Sequence, residues 1–135
     1  MRTVIDSCIW IAYKSKRDKD HEKAVQIIER FLNDKLTRVC VTDYVIVEVT
    51  NFLLRKVNPE MALDTLDLFR KHERIEIVIV DEILLERSYK LAKKLRISLT
   101  DASLIAMMEN LEINSIYSFD SGFDRVKWIG RVENA

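Results

Sequence analysis

Proline and glycine are almost missing from this sequence, with one Pro and two Gly in 135 residues. So few turn formers exclude long flexible linkers and argue for short connections between regular elements. Cysteine is as rare: Cys8 and Cys40 stand alone, each inside an apolar pattern. That excludes a scaffold built on disulfides, and reduced core thiols of a cytosolic protein are the expected state. The two histidines, His21 and His72, lie in polar contexts and complete no zinc set. There is no leader pattern and no apolar run of spanning length, so a cytoplasmic location without membrane attachment is expected. Net charge is missing too, because Lys+Arg and Asp+Glu each number 22. No global field marks a nucleic-acid binder; a site for a polyanion has to be local, or bridged by cations.

What is present is a globular composition, 48% hydrophobic and 33% charged. A chain of this length forms one domain, spanning 1–135, that buries roughly two-thirds of its unfolded surface. The β-branched run Thr3-Val4-Ile5 ending on Asp6 reads as a buried parallel strand, and Cys8 to Tyr13 as a helix packed back on it. The basic stretch Lys14 to Lys19 reads as a solvated helix end and turn. Asp20 stands as cap of a helix from His21 to about Asp34, with Ala24, Val25, Ile27, Ile28, Phe31 and Leu32 as an apolar stripe at helical spacing. Val39 to Val41 is a second strand, and Thr42 stands as N-cap of a helix to about Val57. Pro59 opens the next helix, to about Lys71. A third strand covers Arg74 to Val80, after which Asp81 caps a helix to Leu95. Thr100 caps a helix from Asp101 to about Leu111. Asn114 to Phe119 is a fourth strand, Asp120 to Asp124 a turn, and Val126 to Ile129 an edge strand. Alternating strands and helices imply an α/β fold: a three-layer α/β/α sandwich on a mainly parallel sheet of four to five strands.

In such sheets, sites form beyond the carboxyl ends of the strands. Asp6 and Asp120 both end strands there. Asp6 also suits a helix cap, and Asp120 a turn that Gly122 assists. Glu48 lies on the flank of the face that Val45, Val49, Phe52 and Lys56 form with Ile46 and Leu53 beside them, where a carboxylate is partly desolvated and needs either an ion pair or a metal. Asp101 shares a helical face with Ile105 and Met108, and a first-turn acid also favours the helix dipole. Were these acids to converge, they would repel one another. Mg²⁺ or Mn²⁺, which favour carboxylate and water, would relieve that repulsion, and such a cluster suits phosphodiester hydrolysis.

These pieces, in this order, carry a resemblance. Val4-Ile5-Asp6-Ser7, Glu48 on the helix after the second strand, Leu99-Thr100-Asp101-Ala102-Ser103-Leu104, and Ser118-Phe119-Asp120 with Phe123-Asp124 behind it resemble the PIN-domain nucleases. The likeness is strongest to VapC-type toxin ribonucleases. The resemblance implies that Asp6, Glu48, Asp101 and Asp120 are catalytic and bind Mg²⁺ or Mn²⁺, positioning the water that cleaves RNA. Asp124 joins them as a metal ligand, and Ser7 and Ser118 take supporting places. It also implies a homodimer and an antitoxin protein that covers the site. The segment Leu95-Arg96-Ile97-Ser98 lacks the Gly often found there in such proteins.

Three other readings stay open. One is a PIN-fold RNA-processing nuclease outside any toxin–antitoxin pair. Another is a catalytically silent module that binds RNA or protein. The third is a phosphotransferase with Asp6 as covalent nucleophile, which haloacid-dehalogenase-type enzymes would support with a second Asp two residues on, where this chain has Cys8.

Overall fold

In the computed structural model, which describes residues 1–135, the elements follow one another with little between them. They are β1 (Arg2–Ile5), α1 (Ser7–Lys14), α2 (His21–Asn33), β2 (Arg38–Thr42), α3 (Asp43–Lys56), α4 (Pro59–Lys71), β3 (Ile75–Val78), α5 (Glu82–Leu95), α6 (Leu99–Leu111), β4 (Ser115–Tyr117), a 3₁₀ turn (Ser121–Arg125) and β5 (Gly130–Val132). The five strands form one sheet in the order β3-β2-β1-β4-β5, and every pairing is parallel.

That order decides where a site can form. From β1 the chain steps outward in one direction to β2 and β3, then crosses back over β1 to reach β4. Right-handed crossovers then put α1 to α4 on one face and α5 and α6 on the other. Contacts follow the same division: α1 packs on α2 and α3, α3 on α4, and α5 on α6. The connections leave in opposite directions at β1 and β4, which are neighbours. A crevice opens at their carboxyl ends, the topological switch point of an open α/β sheet. Asp6 directly follows β1, and Ser118 to Asp120 directly follow β4.

The core is continuous across the sheet. Val4, Val39, Val41, Val45, Val49, Leu53, Leu104, Met108 and Ile116 are fully buried. Trp10 is fully buried as well. Its indole Nε1 donates to the Ile5 carbonyl at 3.1 Å, and its ring meets Phe69 edge-on at 4.9 Å. Helix α6 is buried along Ala102 to Met108, so it is a core helix with no solvent stripe. No helix is long and apolar enough to cross a membrane. Both cysteines are free thiols.

Several local expectations shift. The last strand lies at Gly130–Val132, not Val126 to Ile129. The Trp128-Ile129 step still belongs to the connection, and the Gly130 N–H bonds to the Asn114 carbonyl at 2.7 Å to start the ladder. The third and fourth strands are shorter than their apolar runs, because Ile79 and Phe119 already lie in connections. Helix α6 starts at Leu99, so its cap is Ser98, whose Oγ accepts from the Asp101 N–H at 3.0 Å. Thr100 is inside the helix. Thr42 does hold the N-cap position of α3. Its hydroxyl, fully buried, instead meets Ser103 Oγ at 2.9 Å, fastening β2 to the first turn of α6. Asp20 precedes α2 without a side-chain cap bond. Asp81 caps α5, accepting from the Leu84 N–H at 2.8 Å.

The missing Gly between α5 and α6 has a local consequence. Helix α5 ends on Arg96 in the left-handed conformation, φ 56° and ψ 49°, where an L side chain crowds the following carbonyl. Arg96→Gly should therefore raise the unfolding free energy by about 0.5–1 kcal/mol, after its own entropy cost. Urea denaturation of the two proteins measures this, and an unchanged midpoint would contradict it.

Candidate active site

Four acids come to the switch point from four separate segments. Asp6 caps α1, and its carboxylate is held on every side. Oδ1 accepts from the Ser7 N–H at 2.7 Å and Ser7 Oγ at 3.3 Å. Oδ2 accepts from Ser118 Oγ at 2.7 Å and the Cys8 thiol at 3.4 Å. Asp6 is only 2% exposed. Burial pushes its pKa up, in spite of the donors that pull the other way.

Ser118 does double duty. Fully buried, its hydroxyl donates to Asp6 and accepts from the Asp120 N–H at 3.0 Å. The acid after β1 and the acid after β4 are thus positioned by one oxygen. Asp120 Oδ1 accepts from the Gly122 N–H at 2.8 Å, which makes the tight turn that the sequence suggests. A Cβ on Gly122 would stand only 3.0 Å from that same oxygen, so glycine leaves the carboxylate its place.

Asp101 enters from the first turn of α6 and lines a small cleft with Ile97, Ile105, Asp120, Gly122 and Phe123. Its carboxyl is pushed up to about 7, first by burial and then by the negative charges of Asp6, Asp120 and Glu48. The structure thus brings Asp6, Glu48, Asp101 and Asp120 within one another's fields. Glu48 differs from expectation in one respect. It is exposed, because the buried line of α3 runs through Val45, Val49 and Leu53 and leaves Phe52 at the margin. It acts on Asp6 and Asp101 by charge, without being desolvated itself.

Asp124 stands apart. Both its carboxylate oxygens accept from Arg131, at 2.9 and 3.1 Å, and that guanidinium holds its carboxyl below the usual range. Neither histidine joins the acids. His21 bonds to the Ala12 carbonyl and His72 accepts from the Arg74 N–H. Sequence reading missed the place of Cys8. Its period assigns it to the core, yet the thiol lies on Asp6 and 3.7 Å from Ser118 Oγ, where burial and Asp6 push it up to about 12. Its place two residues after a strand-end acid was the available signal. Asp43 was missed too: it ties the start of α3 to the end of β3 by accepting from the Val80 N–H at 2.8 Å.

No Lys or Arg forms an ion pair with any of the four acids; the ion pairs of this chain lie elsewhere. A set of hard oxygen donors with no ion-paired Lys or Arg fits Mg²⁺ or Mn²⁺ better than a soft metal. As the side chains stand, no three of them are close enough to share one ion. Glu48 is exposed and makes no hydrogen bond, so it has the freedom to move inward.

The raised pKa of Asp101 sets a pH dependence. An unfolded chain releases this proton near pH 4, whereas the folded protein keeps it until about pH 7. Between those values the folded state binds more protons, so without divalent cations its stability falls as pH rises through that window. Asp101→Asn removes the ionisation. The metal-free variant should match its parent near pH 4 and exceed it at pH 8 by about 1–3 kcal/mol. Chemical denaturation at both pH values tests this; equal differences at the two would refute the linkage.

Comparison with known proteins agrees with the architecture. The family model of the PIN domain matches residues 3–129. Among solved structures, the VapC20 toxin of Mycobacterium tuberculosis, which cleaves the sarcin–ricin loop, superposes with a TM-score of 0.80 at 21% identity, covering 94% of this chain and 96% of that one. VapBC2 of Rickettsia felis, bound to a DNA fragment from its promoter, gives 0.70 at 14% identity, covering 98% of each chain. VapBC-1 of nontypeable Haemophilus influenzae gives 0.67 at 18% identity, over 98% of this chain and 97% of that one. No protein of curated function matches the sequence. At these identities the structural likeness is one of fold, while the sequence match is to the family itself and spans nearly the whole length. The chain belongs to the PIN-domain family.

Proposed function

We propose that this protein is a Mg²⁺- or Mn²⁺-dependent endoribonuclease, and the toxin of a toxin–antitoxin pair. The observation that carries the reading is the convergence of four carboxylates, from four segments, none of them ion-paired to a basic side chain. Such an arrangement is costly in a protein that has no cation to put there. The toxin assignment draws on the VapC and VapBC structures whose fold it shares.

Asp6, Glu48, Asp101 and Asp120 would hold the ion; Asp124, committed to Arg131, is left out of that set. When bound, the cation offsets the repulsion between carboxylates, screens the substrate phosphate and lowers the pKa of water. The chain's own residues do the positioning. Ser7, Cys8 and Ser118 fix the Asp6 carboxylate in one orientation, and Ser118 sets Asp120 against it. Ser98 and the Thr42–Ser103 pair fix the first turn of α6, and with it Asp101. No side chain is required as nucleophile. The protein would work in the cytoplasm as a homodimer neutralised by an antitoxin protein. Val47 and Leu54 on α3, with Leu63 and Leu66 on α4, offer exposed apolar surface for such contacts.

Purified protein should cleave single-stranded RNA in Mn²⁺ or Mg²⁺ and lose that activity in EDTA. Asp6→Asn and Asp101→Asn should each reduce the rate by at least about 10²–10³-fold, since several kcal/mol of charge stabilisation are lost. Asn at position 6 can still accept from the Ser7 N–H, so circular dichroism should show the fold intact. Full activity in either variant, or in EDTA, would refute the assignment.

A further inference from the structure

We propose that Arg125 binds a backbone phosphate of the RNA at the mouth of the acid cleft. This rests on the nuclease reading above and adds to it the group that meets the substrate. The argument begins from a deficit. A neutral chain draws no polyanion from a distance, and four carboxylates repel a phosphate until something positive stands beside them. The cleft needs a local cation in addition to any metal.

Five guanidinium groups of this chain are committed elsewhere. Arg2 and Arg38 pair with Glu76, Arg87 with Glu109, and Arg131 with Asp124 and Glu133. Arg74 is spent on the carbonyls of Phe31, Leu32 and Thr37. Arg125 is exposed and has no carboxylate partner. Its place is specific. Nη1 donates to the Leu95 carbonyl at the end of α5, while Nη2 is 3.8 Å from where a Cβ on Gly122 would stand. The cleft that Asp101 and Asp120 share is also lined by Ile97 and Gly122. Arg125 therefore stands beside Gly122 at the edge of that cleft, tied to the carbonyl two residues before Ile97.

One arm of the guanidinium is anchored, and Nε and Nη2 donate to no group of the protein. An anchored planar fork with free donors suits a phosphate oxygen pair, and little side-chain entropy is left to lose on binding. A lysine at this position would offer a point charge without the fork. The contact would be to the backbone, so it would position RNA without reading its sequence.

The test compares wild type, Arg125→Gln and Arg125→Lys. Binding of a short fluorescein-labelled single-stranded RNA is followed by anisotropy between about 50 and 200 mM salt, and Mn²⁺-dependent cleavage of the same RNA gives kcat and KM. Arg125→Gln should raise KM about tenfold, leave kcat within about twofold, and make the salt slope of binding shallower by about 0.7, one phosphate contact on a single strand. Arg125→Lys should keep the slope and raise KM more modestly. A role limited to tying Leu95 in place would lower the melting temperature without moving the slope, so an unchanged slope in Arg125→Gln overturns the proposal. If the Gln variant does not fold, Arg125→Lys decides: a retained slope with raised KM supports the proposal, and an unchanged KM overturns it. Loss of this proposal leaves wild-type cleavage intact. If wild type neither binds nor cleaves RNA, the nuclease reading falls and takes this one with it.

Discussion

The two halves of the site are held together by one buried hydroxyl. Ser118 donates to the Asp6 carboxylate and accepts from the Asp120 N–H, across the strand pair β1 and β4. That pair is where the sheet changes direction, so the ladder itself delivers both segments: the Asp6 N–H bonds to the Tyr117 carbonyl at 2.9 Å, and the Ser118 N–H to the Val132 carbonyl at 3.0 Å. Backbone pairing sets the coarse position, and the hydroxyl fixes the acids relative to each other. A buried carboxylate with Asp6's exposure would be intolerable without such donors.

Helix α6 supplies the opposing side, and its construction explains how a charged residue can sit there. Seven consecutive residues, Ala102 to Met108, are buried, so packing holds the helix in one rotation and leaves it no amphipathic choice. Asp101 is the last polar position before that buried run. Ser98 caps the N–H of Asp101, and Thr42 with Ser103 locks the first turn onto β2. The acid is therefore forced toward Asp6 and Asp120 by packing elsewhere, and its raised pKa is the electrostatic consequence. Strain of this kind, accepted at one place and offset by a well-packed core, is a common mark of a functional site.

Much of this was readable from residues alone, for physical reasons. β1 and its terminal Asp6 follow from a β-branched run at a domain edge. The parallel sheet follows from strands separated by helices of crossover length. Asp120 follows from a turn signature with Gly122. Other features depend on facts that periodicity does not carry. Glu48 was expected to be desolvated because Phe52 was counted on the buried line; the helix is rotated toward Leu53, and the acid is exposed. Ser98 and Thr100 are both good caps, and it is Ser98 whose hydroxyl accepts from the Asp101 N–H. Asp124 looks like a fifth acid until Arg131, seven residues on, is seen to engage both its oxygens. The last strand was displaced because Val126 to Ile129 is apolar for packing reasons, while the ladder needs the backbone of Gly130.

The structural and chemical roles of these acids are not alternatives. Asp6 is a helix cap, and Asp120 is a turn residue, each by an ordinary hydrogen bond to its own backbone. Both bonds use only Oδ1. For Asp120, Oδ2 remains without a protein partner; for Asp6, Oδ2 is reached only by neutral donors, Ser118 and Cys8. An asparagine would keep the acceptor that caps and turns require; at Asp6 it would give up the Oδ2 acceptor of Ser118 and Cys8 as well as the charge, and at Asp120 the charge alone. At Asp120 the fold therefore gives no reason for a negative charge, and at both places it bears the repulsion that results. On the function proposed above, the cation that these side chains would meet after folding supplies the reason for that charge.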